Sequence, residues 1–107
     1  MTLDVGNVRH YYGSVIRSFA DRETEQIWNE ARSFRLPSDI QQRALNKLAL
    51  LNRAARLEDL RVPPGNRLEA LRGSRRGQYS IRINDQWRLC FQWENGDALD
   101  VEICDYH

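Results

Sequence analysis

The chain contains few of the residues and patterns that define several classes of protein. Cysteine occurs only as Cys90 and Cys104, which is too few for a disulfide framework and lacks the paired spacing of a zinc site. No apolar run approaches the roughly 18 residues that a membrane span requires. The N-terminus also lacks the basic and then apolar pattern of a secretory signal. These absences predict free thiols, a cytoplasmic location and no membrane attachment.

Lysine and net charge are also scarce. Lys47 is the only lysine, so arginine carries nearly all of the positive charge, and the formal net charge is +1. Overall charge therefore does not indicate a polyanionic partner, although basic residues can still be concentrated locally. With 41% apolar and 29% charged residues among 107, the chain fits one globular domain with a single core that requires no metal.

The N-terminal residues differ from the rest because they have no hydrophobic period. Residues 1–14 mix glycine, asparagine, histidine and tyrosine irregularly, which predicts an N-terminal arm outside the core domain. The core domain is predicted over residues 15–107. Its first element is a short strand at 14–19.

Two amphipathic helices are predicted next. Residues 21–34 have apolar residues at helical spacing and acidic residues in the first turn, and Pro37 separates this helix from the next. Ser38 and Gln41 have the spacing of a capping box at the start of the second helix. The residues predicted to face inward are Ile27, Trp28, Ala31 and Phe34 in the first helix, and Ile40, Ala44, Leu48, Leu51 and Ala55 in the second.

The rest of the chain has the pattern of a sheet. Residues 57–65 include two consecutive prolines and predict a loop. Strands are predicted at 66–71, 78–83, 87–93 and 97–104, with a basic turn at 73–77.

The alternation of apolar and polar residues predicts the register of the last hairpin, because a shift of one residue moves every apolar side chain to the other face. A three-residue loop at 94–96, with Gly96 in the left-handed conformation, keeps the apolar residues together and pairs Leu89 with Val101. A two-residue Asn-Gly turn does not satisfy this requirement.

The preceding hairpin is predicted to bring two arginines together. Pairing Ile81 with Leu89 places Arg82 directly opposite Arg88 on the polar face of the sheet. Opposed like charges cost a few tenths to about 1 kcal/mol in a sheet. Two explanations remain open: Glu102 lies beside Arg88 in this register and neutralises it, or the two arginines are arranged to bind a phosphate.

Positive charge is concentrated between residues 72 and 88, where five arginines accompany a single acid, Asp85. A basic face with aromatic neighbours suits a ribose-phosphate chain, through phosphate neutralisation and base stacking. In the turn, the arginines either contact an RNA backbone or are simply solvated. The five arginines are Arg72, Arg75, Arg76, Arg82 and Arg88.

Several motifs of this region occur together in one known family. They are NRLEALRG at 66–73, GQYSIRINDQWRLCF at 77–91, NGDA at 95–98 and DYH at 105–107. In order and spacing they resemble the HigB branch of the RelE-type bacterial toxins, over roughly residues 15–107. The resemblance implies an α+β fold, in which two N-terminal helices pack on a twisted, mainly antiparallel sheet, as in RelE-like microbial ribonucleases.

The resemblance also implies a function. The family consists of toxins of type II toxin-antitoxin systems that cleave messenger RNA in the decoding site of the ribosome. A HigA-like helix-turn-helix antitoxin neutralises the toxin, which is expected to contact operator DNA only through that antitoxin. The implied reaction is attack of the ribose 2′-hydroxyl on the scissile phosphate, and it uses no metal or cofactor.

The resemblance assigns roles to individual residues. Arg88 falls on the arginine of the family's Trp-Arg motif, and Arg72 on the basic residue of its Leu-Lys-Gly motif. Both would offset charge on the phosphorane. His107 would carry a proton, because the unperturbed pKa of histidine, about 6.5, is close to working pH. Tyr106 either stacks on a base or donates a hydrogen bond, and Asp105 either orients the imidazole or caps the strand.

Glu69 is a departure from the family pattern, because some members have a histidine three residues before the Leu-Lys-Gly lysine. Glu69 either replaces that histidine as a base or faces solvent without a catalytic role. The difference keeps open an alternative, a non-catalytic member that binds the antitoxin or RNA. An ordinary RNA-binding module is the third possibility.

Overall fold

The computed structural model describes residues 15–105, so the predicted arm at 1–14 and the residues Tyr106 and His107 lie outside the described part. The helices are α1, Arg22–Trp28, and α2, Ser38–Arg53, and the strands are β1, Glu69–Ala70, β2, Gln78–Arg82, β3, Trp87–Glu94, and β4, Asp97–Asp105. Short 3₁₀ helices occur at Leu57–Arg61, Pro64–Asn66 and Gly73–Arg75. Within residues 15–105, no helix combines the length and the apolar character needed to cross a membrane.

Helix α1 is shorter than its hydrophobic pattern predicts. Its first turn is capped by the Asp21 carboxylate, which accepts a hydrogen bond from the Thr24 backbone N–H at 3.0 Å. The helix ends at Trp28, and Glu30 has a φ of 60°, a left-handed conformation that reverses the chain. The predicted continuation to Phe34 is therefore wrong, and this side chain is 96% exposed.

Helix α2 begins without the predicted capping box. Pro37 occupies the cap position and makes no side-chain capping hydrogen bond. The Gln41 amide instead donates to the backbone oxygens of Ser33 at 2.7 Å and Leu36 at 2.9 Å. Gln41 therefore holds the connection between the two helices.

The main core is built from one face of α2 and one face of the sheet. The α2 residues are buried as predicted, except that the helix ends at Arg53 and leaves Ala55 exposed. Truncating a leucine in such a core to alanine costs about 2–5 kcal/mol. Among the buried residues of this cluster are Ile40, Ala44, Leu48 and Leu51 from α2, and Ile81, Leu89, Phe91, Val101 and Ile103 from the sheet.

The four strands form one sheet in the order β1-β2-β3-β4, and neighbouring strands are antiparallel. Two helices and this sheet confirm the α+β class. The predicted strand at 14–19 appears in its described part as two isolated parallel bridges, Ile16 to Ala98 and Phe19 to Val101. This N-terminal segment therefore runs along β4.

The register of β2 and β3 is as predicted, with Arg82 opposite Arg88. The register of β3 and β4 is not, because Leu89 lies opposite Ile103 rather than Val101. The residue of β4 opposite Leu89 is therefore two positions later in the chain than the alternation of apolar residues predicted.

A two-residue turn causes part of this difference. Glu94 pairs with Asp97, so only Asn95 and Gly96 remain between the strands, with φ values of 51° and 85°. Positive φ at both positions is typical of a type I′ turn. The predicted three-residue loop is wrong, although Gly96 has the left-handed conformation that was predicted.

A β-bulge compensates for the shorter turn. Between the pairs Gln92–Leu99 and Cys90–Glu102, β4 contains one residue more than β3. Asp100 lies in this irregular stretch and has a φ of 51°. The additional residue places Val101 and Ile103 on the core face.

Candidate active site

The site predicted from the arginines lies on the face of the sheet that is turned away from the main core, which we call the polar face. Residues directly opposite in neighbouring strands share a face, as do residues two positions apart in one strand. By this rule the polar face carries Glu69, Ser80, Arg82, Arg88, Cys90, Glu102 and Cys104.

Arg88 is a buried cation at the centre of this arrangement, only 6% exposed. Its Nε donates to the Ser80 hydroxyl at 2.7 Å, and its Nη2 donates to the backbone oxygen of Arg67 at 2.5 Å. The guanidinium therefore extends across β2 towards the segment that precedes β1. Every buried side-chain nitrogen and oxygen of residues 15–105 has a hydrogen-bond partner, so this burial leaves no unsatisfied donor in the described part.

Glu69 is an acid beside Arg88, with its Oε1 3.9 Å from Arg88 Nη2. The prediction that Glu102 lies beside Arg88 is wrong, because the bulge in β4 places Glu102 opposite Cys90. Glu102 instead forms an ion pair with Arg75 at 3.2 Å.

Arg82 and Arg88 border a common cleft of about 550 Å³. Arg82 forms an ion pair with Asp85, whose side chain is 99% exposed. The cleft thus combines one buried cation with a second cation at its solvent-exposed edge. Its lining also includes Gly65, Arg67, Glu69 and Asn84.

A second cleft, of about 580 Å³, is lined by two predicted arginines of the β1–β2 connection, Arg72 and Arg75. Arg72 is exposed there, and Arg75 donates to the Gln78 side chain at 2.9 Å. Glu69 borders both clefts. The structure therefore brings Arg88, Arg82 and Glu69 together, and places Arg72 and Arg75 on the other side of Glu69. Arg76 is exposed in the turn that leads into β2.

Asp105 lies at the end of β4, opposite Trp87. Its Oδ2 accepts a hydrogen bond from Gln86 Nε2 at 3.1 Å, so the carboxylate contacts the turn between β2 and β3. The roles predicted for Tyr106 and His107 fall outside the described residues.

The two cysteines are free thiols, as predicted, and lie in a small apolar cluster with Leu71. A hydrogen bond between the thiols lowers the pKa of Cys90 and raises the pKa of Cys104, and burial adds to the rise for Cys104. Among residues 15–105, no three histidine, cysteine or acidic side chains form a group able to hold a metal ion.

Two contacts of Arg88 were missed by the sequence reasoning. Ser80 was detectable, because strand alternation places it on the same face as Arg88. The contact with Arg67 was not, because the acceptor is a backbone oxygen and a backbone position carries no residue-specific signal. Asn66, the residue directly before Arg67, is fully buried.

Comparison with known protein families identifies the group to which this fold and site belong. A family model described as a RelE-like toxin of the type II toxin-antitoxin system HigB matches residues 17–107. The chain belongs to the HigB-like toxin family. The resemblance inferred from the sequence motifs is thereby confirmed.

Individual relatives agree with membership of the HigB-like family. Toxin HigB-1 of Vibrio cholerae is 46% identical over 86 residues, which are 79% of this chain and 90% of that toxin. Endoribonuclease HigB of Proteus vulgaris is 28% identical over 93 residues, which are 87% of this chain and 100% of that protein. An uncharacterized protein of Haemophilus influenzae is 36% identical over 69 residues, or 64% of this chain and 68% of the relative.

Proposed function

We propose that this HigB-like chain is a ribosome-dependent endoribonuclease that cleaves messenger RNA in the cytoplasm and is neutralised by a HigA-like helix-turn-helix antitoxin. Membership of a toxin family supports the toxin role, and the name of the Proteus vulgaris relative supports the nuclease activity. In this proposal the chain contacts operator DNA only through the antitoxin.

The observation that carries the proposal is the position of Arg88. A cation that is 6% exposed borders an open cleft, and the acid beside it is 3.9 Å away. A phosphate that enters the cleft can replace the half-exposed Glu69 carboxylate as the partner of Arg88. The planar guanidinium suits phosphate oxygens, and a fixed cation stabilises the additional charge of the phosphorane.

The second cleft supports binding of an extended RNA chain rather than an isolated phosphate. Arg72 and Arg75 lie there, on the opposite side of Glu69 from Arg88. We propose that neighbouring phosphates of one strand occupy the two clefts, with the scissile phosphate at Arg88. Arg75, Arg76 and Arg82 then hold the RNA backbone. Arg72, which the family motif assigned to the phosphorane, binds the neighbouring phosphate in this arrangement, because it lines the second cleft.

The proton transfers are assigned through the family motif. His107 protonates the leaving 5′-oxygen, Tyr106 stacks on a base or donates a hydrogen bond, and Asp105 orients the imidazole or caps the strand. The reaction proposed is metal-independent attack by the 2′-hydroxyl on the phosphorus, which breaks the bond to the 5′-oxygen. The hydroxyl gives its proton to Glu69, the acid beside Arg88, or to water. This small catalytic set suits a substrate that the ribosome orients, because orientation itself removes part of the barrier.

Induced expression followed by primer extension on cellular messenger RNA tests the proposal. The unmodified chain is expected to arrest growth and to produce new RNA ends within translated messages, whereas Arg88→Ala and His107→Ala are expected to produce neither. Arg22→Ala is the matched control, because it removes an exposed arginine of α1. New ends produced equally by all three variants would reject the assignment, provided that circular dichroism shows each of them folded.

A second candidate is a non-catalytic member of the family that binds the antitoxin or RNA. Two points favour it. Glu69 stands where some members have a histidine, and its carboxylate forms an ion pair with Arg88. Glu69→Gln keeps the size of the side chain and removes its charge, so tighter RNA binding is expected in either case. Absence of new RNA ends from the unmodified chain, with RNA binding retained, would favour this second candidate.

A further inference from the structure

We infer that Asn66 is a positioning residue for Arg88, and that it acts through the backbone carbonyl of Arg67. The catalytic part of this inference depends on the proposed function. The structural part does not, because it concerns how one guanidinium is held.

The first link is the contact between Arg67 and Arg88. The Arg67 carbonyl accepts from Arg88 Nη2 at 2.5 Å, and its residue has φ 46° and ψ 58°. A left-handed conformation is unfavourable for a residue other than glycine, so the surrounding loop has to maintain it. The Arg67 N–H also bonds to the Pro64 oxygen at 3.1 Å.

The second link is the side chain of Asn66, which is fully buried. Its Nδ2 donates to the backbone oxygens of Leu60 at 3.1 Å and Val62 at 3.3 Å. Its own backbone N–H bonds to the Pro63 oxygen at 2.9 Å. These bonds fix the loop at Asn66, the residue directly before Arg67. A change in the Asn66 side-chain amide therefore moves the Arg67 carbonyl that Arg88 contacts.

The third link connects this loop to helix α2. Lys47 Nζ donates to Asn66 Oδ1 at 2.5 Å, which leaves the Asn66 amide with partners for both its donors and its oxygen. Burial lowers the pKa of Lys47, and the neighbouring Arg43 and Arg82 contribute to the shift. Asn66 is therefore the junction between α2 and the loop that holds Arg88.

The geometry of Arg88 explains why this second support is needed. Ser80 holds Nε through its hydroxyl at 2.7 Å and contacts Nη2 more weakly through its backbone oxygen at 3.4 Å. Both acceptors belong to one residue on one side of the guanidinium, so the other side depends on a support from another segment. The Arg67 carbonyl holds Nη2 from the other side of β2. Acceptors on two different segments together define the plane of the guanidinium, and hence the direction in which it faces a phosphate in the cleft.

The test compares Asn66→Asp with Asn46→Asp. Both changes are isosteric and add one negative charge, but Asn46 is exposed on α2. Asn66→Asp loses the amide that donates to the Leu60 and Val62 backbone oxygens. It is expected to lower the rate of messenger RNA cleavage on ribosomes by about tenfold to a hundredfold, because displacement of a catalytic group has an effect of this size. The KM is expected to change much less, and Asn46→Asp is expected to match the unmodified chain.

A spectroscopic readout separates positioning from loss of fold. The Nη2 protons of Arg88 bond to the Arg67 carbonyl, and their NMR signal is assigned by its disappearance in Arg88→Lys. In the unmodified chain these protons are expected to exchange slowly with solvent. In Asn66→Asp they are expected to exchange about tenfold faster, the effect of losing about one net hydrogen bond, while most backbone amide resonances keep their positions. Lys47→Met is a milder change, because it removes only the hydrogen bond that Lys47 donates to the Asn66 side-chain oxygen. It is expected to change the exchange rate of the Arg88 protons in the same direction.

Each outcome decides the inference. An unchanged Arg88 signal in folded Asn66→Asp would overturn it, as would an equal effect of Asn46→Asp. If Asn66→Asp does not fold, an unchanged Arg88 signal in Lys47→Met would overturn it instead. If no variant or unmodified chain cleaves RNA, the proposed function fails, while the Arg88 signal still tests the positioning.

Discussion

Arg82 and Arg88 lie directly opposite each other on β2 and β3, but their guanidinium groups have different acidic partners. Arg82 pairs with Asp85 at the exposed edge of the cleft, and Arg88 lies beside Glu69. The divergence separates two like charges that would otherwise oppose each other in the sheet. It also gives the two arginines different environments, because Arg88 is buried and the partner of Arg82 is almost fully exposed.

Removal of the Asp85 charge is expected to strengthen RNA binding. Asp85→Asn leaves the charge of Arg82 without that neutralising carboxylate, and an unpaired charge near a phosphate in water contributes about 1 kcal/mol, or roughly fivefold in Kd. The free energy of unfolding is expected to change by less than about 1 kcal/mol, because exposed ion pairs contribute little. Fluorescence anisotropy with a single-stranded RNA, at low and high salt, measures the effect.

The gain for Asp85→Asn is expected to shrink at high salt, because salt screens exposed charges. Asp39→Asn removes the same charge from an exposed position on α2 and serves as the control. Equal affinities of the two variants at low salt would show that Arg82 does not contact the RNA.

Replacement of Arg88 by lysine is expected to reduce cleavage even though the charge is kept. Lysine lacks the planar fork that reaches the Ser80 hydroxyl and the Arg67 carbonyl together. Loss of such a preorganised group lowers kcat by about 10²–10³, and a buried acceptor left without its donor costs about 1–3 kcal/mol of stability. Single-turnover cleavage on ribosomes and urea denaturation measure the two effects.

Arg82→Lys is the matched control for Arg88→Lys, because Arg82 lies opposite Arg88 on the same face of the sheet. We expect it to retain most of the cleavage activity and stability. A similar loss of kcat in both variants would indicate a general requirement for guanidinium groups in the cleft rather than a specific role of Arg88.

Substitutions of Asp100 test the bulge in β4. Its φ of 51° is unfavourable for a β-branched residue, so Asp100→Val is expected to reduce the free energy of unfolding by about 1–2 kcal/mol. Asp100→Gly adopts this conformation without strain, and its effect is expected to remain within about 1 kcal/mol. Urea denaturation measures both. Equal stabilities of the valine and glycine variants would contradict the left-handed conformation.

Asp59 is expected to contribute stability that disappears in acid. Backbone N–H groups of Arg56 and Ala55 bond to its carboxylate and lower its pKa below the usual value of 3.8. A lowered pKa means that the contribution is present above pH 3.8 and is lost as the pH falls through the folded-state pKa. Asp59→Asn is therefore expected to be less stable than the unmodified chain at neutral pH, and the difference is expected to vanish in acid.

Urea denaturation at several pH values tests this dependence. Glu58→Gln, a change at the neighbouring exposed residue, is the control and is expected to show a smaller difference at neutral pH. A difference between the Asp59 variant and the unmodified chain that stays constant from neutral to acidic pH would contradict the role of the carboxylate charge.

The sequence was sufficient to predict the register of β2 and β3, but not that of β3 and β4. Alternation from Tyr79 to Trp93 excludes a shift of one residue, which would turn the apolar residues away from the core, and the short connection at 84–86 excludes larger shifts. In the last hairpin, a three-residue loop and a two-residue turn with a bulge satisfy the same requirement. The Asn95-Gly96 pair favoured the shorter turn, but the position of the bulge depends on contacts across the sheet.

The same bulge explains which neighbours on the polar face were predicted correctly. Arg88 is placed by strand alternation, whereas the neighbour expected for it, Glu102, is moved by the additional residue in β4. Phe34 was misplaced for a different reason. It has helical spacing from Ile27, but the left-handed Glu30 ends the helical geometry before that spacing applies.

The N-terminal segment that runs along β4 has a consequence for the order of folding during synthesis. The backbone N–H of Arg17 bonds to the Ala98 oxygen at 2.8 Å, and that of Ala20 bonds to the Val101 oxygen at 2.9 Å. Residues near the start of the described part are thus joined to β4, which is translated much later. Such distant contacts form late, because the intervening chain has to close first. The segment at 15–20 therefore waits for β4 to leave the ribosome before the sheet is complete.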